Sequence, residues 1–139
     1  MCAQSSYDYA IVRVVPRVER GEFINAGVIV FCRTRRFLGA RIALDAGRLA
    51  ALAPQLDITE LTQHLAVIPL VCAGGVGTGP IGLLPLGERF HWLVAPRSAM
   101  IQTSPVHSGL CDAPAAALDE LLDALVRPID LIGNKAVVV

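Results

Sequence analysis

The densest group of side chains that could do chemistry lies in the stretch RSAMIQTSPVHSG, which begins at Arg97. A guanidinium there could hold an oxyanion through two parallel hydrogen bonds. Neutral donors and acceptors follow at Ser98, Gln102 and Ser104. His107 adds a group that titrates near neutral pH. The stretch therefore forms a candidate binding site for an anion or a small ligand.

Two other interpretations of this stretch stay open. A solvated strand edge with His107 in a turn would use the same residue types for structure alone. Ser104 could also act as a nucleophile with His107 as its base, but such a pair is recognised by its geometry in the fold and not by its spacing. The sequence therefore leaves open whether any reaction is catalysed.

A second polar group surrounds the turn of the first predicted hairpin, in RVVPRVERGEFIN. Its candidate binding residues are Arg13, Arg17, Glu22 and Asn25. The functional interpretation is a site for an anion or for a partner protein. The alternative is a solvated turn, in which each local ion pair contributes little to stability.

Three glycines, Gly77, Gly79 and Gly82, have the G-x-G-x-x-G spacing of a dinucleotide site. That site needs a strand before the glycines and a helix after them, so that the pyrophosphate meets the helix N-terminus. Pro85 and Gly87 interrupt the segment where the helix should run. Residues 89–111 contain no acid that could hold the ribose. We therefore predict a loop of small residues and no cofactor.

The four cysteines, Cys2, Cys32, Cys72 and Cys111, are widely spaced, and none forms a C-x-x-C pair. This pattern predicts buried, reduced thiols, as in a cytosolic protein. His107 and Cys111 are four positions apart, but the sequence indicates no third or fourth ligand. No metal site is predicted.

The composition favours a protein that buries apolar surface against a partner or a second copy. Hydrophobic residues make up 54% of the 139 residues and charged residues 17%, whereas average soluble domains have about 45–50% and about 25%. Residues 1–50 hold eight arginines and four acids (+4), and the remainder holds four bases and eight acids (−4). Such asymmetry suits an anionic ligand or an acidic partner surface. Aromatic residues are only 5%, so nucleic-acid binding is not expected.

Neither a secretion signal nor a membrane segment is expected from the sequence. The N-terminus lacks the basic and apolar regions of a signal peptide. Residues 65–87 carry no charge, but six glycines and three prolines interrupt them. A spanning helix needs about 20 predominantly apolar residues. The chain is therefore predicted to be cytoplasmic.

Three strands followed by helices are predicted along the chain. The aromatic and β-branched segments YDYAIVRVVP, FINAGVIVFCR and FLGARIAL are separated by short polar turns, which predicts an antiparallel meander. Gly27, inside the second strand, indicates a bulge or a close approach of another backbone. AMIQTSPV predicts a fourth strand.

Helices are predicted at DAGRLAAL, after Asp57, at ERFHWLVA and after Asp112. Asp57 and Glu60 have the spacing of a capping box. Asp112 is expected to cap the last helix, with Pro114 in its first turn. The fold class is therefore α+β: an antiparallel sheet, made of the N-terminal meander and a later strand, with helices packed on one face. Residues 7–127 form the single domain, and residues 128–139 form a C-terminal tail that is either an extra edge strand or a flexible end.

The opening YDYAIVRVVPRVERGEFINAGVIVFC and the later ERFHWLVAPRSAMIQTSPVHSGLC resemble the two signatures of a bacterial family, domain of unknown function 3037. The resemblance covers residues 7–127 and implies no assigned reaction. Members are often encoded beside a protein resembling a HipA-like kinase, which implies an accessory or partner role. The motif positions in this chain are Arg13, Glu22, Asn25, Gly27, Arg97, Ser98, Gln102, Ser104 and His107.

The leading hypothesis from the sequence is a cytosolic protein that acts by binding. Its partner would be another protein, with the HipA-like kinase as one candidate, or an identical copy. The alternative is an enzyme, or a domain that binds a phosphate or another anion, using the polar cluster at residues 97–107. Nucleic-acid binding through the arginine-rich hairpin ends is a third, weaker hypothesis, and salt-sensitive binding to DNA or RNA would test it.

Overall fold

The computed structural model describes residues 4–128 as a five-stranded antiparallel sheet and four helices. The elements in chain order are β1 Ser5–Val14, β2 Ile24–Cys32, β3 Phe37–Ile42, α1 Ala46–Leu52, α2 Ile58–Ala73, α3 Leu86–Val94, β4 Ile101–Thr103, β5 His107–Cys111 and α4 Pro114–Leu125. Short 3₁₀ turns lie at Val18–Arg20 and Ile81–Leu83. The predicted α+β class and its N-terminal meander are confirmed. The prediction for the C-terminal tail lies outside the described residues.

The sheet is built around β1, the longest strand. Its order is β3-β2-β1-β4, and β5 pairs with β1 beside β4. The register of β1 with β2 shifts between Val12 and Arg13, where a bulge lies. Next to that bulge, a Cβ on Gly27 would lie 2.6 Å from the carbonyl oxygen of Arg41 on β3. The glycine therefore allows β3 to approach, as the sequence indicates.

Apolar side chains of β2 alternate between the two faces of the sheet, and both faces are covered. Ile29 and Phe31 pack with α1, α2 and α3, and Phe31 stacks on Phe90 of α3 with ring centroids 5.1 Å apart. Val28 and Val30 point the other way and pack with α4. The expectation of helices on one face is therefore correct for three helices and wrong for α4. An amphipathic stripe shows that a helix has an apolar side, but not which sheet face it covers.

The helix starts follow the predicted capping chemistry in part. The Asp57 side chain accepts a hydrogen bond from the backbone N–H of Glu60 at 3.2 Å, as predicted. The helix then continues past Pro69 to its last residue, Ala73. The capping role expected for Asp112 is wrong, because Pro114 at the first helical position places the cap at Ala113. Within residues 4–128, no helix has both the length and the apolar character needed to cross a membrane.

Candidate binding surfaces

The polar stretch that begins at Arg97 forms the edge of the sheet beside β1, and Ser104 lies at its centre. β4 ends at Thr103 and β5 begins at His107, so β1 pairs with two short strands. Ser104 bridges the break between them. Its N–H donates to the carbonyl oxygen of Ile11 at 2.8 Å, and the N–H of Ile11 donates to its Oγ at 2.8 Å. The Ser104 residue is 3% exposed, so its hydroxyl serves the sheet and does not face solvent.

Arg97 caps the C-terminal end of α3. Its Nη2 donates to the carbonyl oxygen of Trp92 at 2.6 Å, and its Nη1 donates to that of Leu93 at 3.3 Å. The guanidinium also lies over the Trp92 ring, 4.6 Å from the centroid. A cation at this position satisfies carbonyls that the helix leaves without partners. Nearby, Gln102 Nε2 donates to the carbonyl oxygen of Ala99 at 2.8 Å.

The structure does not bring all five candidate residues of this stretch into one pocket. Arg97 and Gln102 line one small cavity with His64, and Ser98 is exposed nearby. His107 is exposed on the α4 face, with its ring centroid 5.4 Å from that of Tyr9. A catalytic or anion-binding role for these side chains stays a prediction.

The first hairpin separates its four candidate residues into two groups. Arg13 and Asn25 are paired across β1 and β2, and Arg13 is also paired with Gln102 on β4. These three residues are therefore neighbours across adjacent strands. Arg17 and Glu22 lie at the exposed turn, where they line an open cavity of about 330 Å³ next to the end of α1. The pKa of Glu22 is lowered because Arg20 donates to its carboxylate at 2.6 Å.

An apolar groove lies between α2, α3 and β4. It consists of two adjoining cavities of about 460 and 180 Å³, which share His64 and Ile101. Val67, Trp92 and Met100 in and beside the groove are 47%, 40% and 38% exposed. Sequence reasoning missed the groove, although the helical spacing of His64 and Val67 on α2 was visible. The groove depends on how α2, α3 and β4 pack together, and no local sequence pattern predicts that packing.

Charged side chains line both cavities of the groove. Asp57, the N-cap of α2, and Glu60, in its first turn, line the larger cavity. Arg97 lines the smaller one. An apolar segment with a basic residue at one end and an acidic residue at the other would therefore match the groove.

The glycine-rich stretch forms a loop after a helix, and the prediction of a loop is confirmed. The helix α2, which ends at Ala73, stands before the glycines where a dinucleotide site has a strand. Gly82 lies in the 3₁₀ turn, and α3 begins only at Leu86, so no helix starts directly at the glycines as that site requires. Arg89 of α3 holds the loop. Its Nη1 donates to the carbonyl oxygens of Val71 and Cys72 at 3.0 and 2.8 Å, and its Nε donates to that of Leu84 at 2.8 Å.

The described cysteines, Cys32, Cys72 and Cys111, are buried and free. Burial raises the pKa of the Cys72 thiol to about 12, so this thiol is protonated at neutral pH and is a poor nucleophile. In residues 4–128, no three His, Cys, Asp or Glu side chains come together as a metal ion would require.

The fold and these surfaces define a small α+β protein with a two-sided core and an open apolar groove. The family model described as protein of unknown function (DUF3037) matches residues 9–126. The chain belongs to this family. Searches of curated proteins and of solved structures returned no match.

Proposed function

We propose that this protein acts by binding another protein in the apolar groove between α2, α3 and β4. The observation that carries the proposal is the exposure of Val67, Trp92 and Met100 around two adjoining cavities. Leaving large apolar side chains in water forgoes stabilisation that burial would supply, about 25 cal/mol for each Å². A partner that covers the groove would bury these side chains and supply this stabilisation.

The residue types around the groove support a protein ligand. Tryptophan, methionine and arginine are enriched in protein interfaces, and tryptophan and arginine often dominate the binding energy. Here Arg97 is already fixed over Trp92 by two hydrogen bonds to backbone carbonyls. Binding would therefore cost little additional side-chain entropy at these two residues.

The partner we propose is the HipA-like kinase encoded beside many members of the family. The support is the partner role that the family resemblance implies, together with the exposed apolar lining of the groove, and the complex would form in the cytoplasm. The kinase segment would be apolar, with a basic residue near Asp57 and Glu60 and an acidic residue near Arg97. A second copy of this chain is the competing occupant.

The test is co-purification and titration of the neighbouring kinase with two matched variants. Val67→Glu places a charge in the groove. Val76→Glu makes the same change at a residue that is 99% exposed in the glycine loop. We expect Val67→Glu to weaken binding at least about ten-fold, because burying an unpaired carboxylate is costly, and Val76→Glu to leave binding unchanged.

Three outcomes would contradict the proposal. One is the absence of any complex with the wild-type protein, and another is equal binding by the two variants. The third is a wild-type homodimer that Val67→Glu alone dissociates in analytical ultracentrifugation. That result would assign the groove to a second copy and reject the kinase as its occupant.

A further inference from the structure

Two arginines in the turn between β2 and β3 lie beside an open cavity of about 340 Å³. Arg33 and Arg36 line this cavity together with Phe31, Leu86 and Gly87. Within residues 4–128, neither guanidinium forms a hydrogen bond or an ion pair. No acidic side chain from this part of the chain lines the cavity. The described residues therefore do not neutralise the positive charge of the cavity.

Other exposed arginines of the chain differ from these two, because they have carboxylate partners. Arg20 pairs with Glu22 at 2.6 Å, and Arg41 pairs with Asp119 at 3.2 Å. Two like charges in one turn repel each other, and an anion that lies between them is attracted by both. The turn between β2 and β3 is therefore suited to bind an anion from outside the chain.

The backbone of Arg36 supports a role for its side chain beyond the turn. Its φ is 51°, and it is the only described residue other than glycine with a positive φ. This left-handed conformation is unfavourable for residues that have a Cβ, and glycine adopts it without that cost. Strained backbone conformations are concentrated at functional sites. An arginine at a position that glycine would occupy with less strain is explained if its guanidinium binds a ligand.

The remaining lining of the cavity is apolar. Phe31 and Leu86 contribute side chains, and Gly87 contributes the space that a larger residue would fill. The nearest atom to a Cβ on Gly87 would be Cζ of Phe31 at 3.8 Å, an ordinary contact distance. Glycine is less favourable than alanine inside a helix, and packing does not require it here. A ligand with an apolar group next to its anionic group would match this lining.

We propose that this cavity binds a small phosphate monoester, with its phosphate on Arg33 and Arg36 and its organic group on Phe31 and Leu86. Such a phosphate carries a charge of about −1.5 to −2 at neutral pH and offers three acceptor oxygens, so it can accept hydrogen bonds from two guanidinium groups at once. The volume is at the lower end of the range of small-ligand sites, about 300–1,000 Å³. The cavity shares no lining residue with the apolar groove, and the site does not depend on the proposed partner.

The test is titration of the ¹⁵N-labelled full chain with phenyl phosphate, followed by NMR. We expect the amide signals of Arg36 and Gly87 to shift and to saturate, because these residues line the cavity. Inorganic phosphate is the matched probe without the organic group. It should bind about ten-fold more weakly, since it forms no contact with the apolar lining.

Three variants locate the site. Arg33→Gln removes one guanidinium, and Arg36→Gly removes the other while it relieves the left-handed backbone. Arg17→Gln is the matched control, because Arg17 is exposed and precedes β2, whereas the two cavity arginines follow that strand. We expect each cavity variant to bind phenyl phosphate about ten-fold more weakly, and Arg17→Gln to bind it with wild-type affinity. The thermal unfolding temperature of Arg36→Gly should be no lower than that of the wild type.

Four results would overturn the proposal. The first is the absence of saturable shifts at Arg36 and Gly87 in the wild type, and the second is equal weakening by Arg17→Gln and Arg33→Gln. The third is equal affinity for phenyl phosphate and inorganic phosphate, which would mean an adventitious ion only. The fourth is a lower unfolding temperature of Arg36→Gly with unchanged affinity, which would show that this arginine serves the turn and not a ligand.

Discussion

At the scale of the residue, many polar side chains of this chain form hydrogen bonds with its own backbone. Ser104 completes a strand ladder, Arg97 and Gln102 bond to carbonyl oxygens, and Arg89 holds a loop. Most side-chain hydrogen bonds in proteins go to backbone or water, so such use is common. In the Arg13–Asn25 pair, one buried atom of each side chain, Arg13 Nε and Asn25 Oδ1, has no hydrogen-bond partner within residues 4–128.

Replacing Ser104 by alanine tests the role of its hydroxyl in the sheet. The Ile11 N–H would lose its acceptor in a part-buried position beside the buried Ser104, which costs about 1–3 kcal/mol. We expect urea unfolding to show a loss of free energy of unfolding in this range. Ser98→Ala is the control, because Ser98 is exposed, and it should change the free energy by less than about 0.5 kcal/mol. Equal effects at the two serines would contradict the bridging role.

At the scale of the element, the sequence predicts best those structures that local chemistry determines. The first hairpin and the start of α2 follow from alternating apolar residues and from the Asp57 cap. β5 was missed because HSGLC has no alternation and has a glycine in its middle. Its pairing with β1 joins residues about one hundred positions apart, as in the bond from Ser108 to Asp8. At Gly109 a Cβ would lie 2.7 Å from the hydroxyl oxygen of Tyr7, a requirement that only the folded pair reveals.

The sequence also predicted part of the candidate site. Residue types singled out the polar stretch around Arg97, and the structure places Arg97 and Gln102 in one cavity. The sequence could not show that Ser104 is buried or that His107 lies on the other face, because a break between two strands separates them. The groove escaped prediction because its residues come from three separate segments.

The glycine loop makes a prediction at the same scale. Gly74 and Gly77 both have a positive φ, of 68° and 92°, so alanine at either position costs about 1–3 kcal/mol in backbone strain. A Cβ on Gly74 would also collide with the Arg89 guanidinium and with the backbone carbonyl oxygen of Gly82, whereas a Cβ on Gly77 would meet nothing within 4 Å. We expect thermal unfolding to show that Gly74→Ala is the more destabilising by at least about 1 kcal/mol, since displacing Arg89 weakens its bonds to backbone carbonyls. Equal losses would show that Arg89 does not hold the loop.

At the scale of the whole molecule, β2 joins two cores. Ile29 and Phe31 belong to the core under α2 and α3, and Val28 and Val30 to the core under α4. Consecutive residues of one strand therefore pack on opposite sides. The α4 core cannot loosen without disturbing the strand that supports the other core. This coupling predicts that the described chain unfolds as one unit, in agreement with the single domain expected for residues 7–127.

Leu122→Ala tests that coupling, with the only tryptophan, Trp92, as a reporter on the far side of the sheet. Leu122 is 2% exposed in the α4 core, and its truncation should cost about 2–5 kcal/mol. If the two cores unfold together, Trp92 fluorescence and far-ultraviolet circular dichroism will report the same, lower denaturant midpoint. Leu121→Ala, at a half-buried position on the same helix, should shift both midpoints together but by less, because it removes less buried surface. The Trp92 midpoint could instead stay at its wild-type value while the circular dichroism midpoint falls. That result would mean that α4 and its core unfold separately from the other face of the sheet, and it would contradict the coupling.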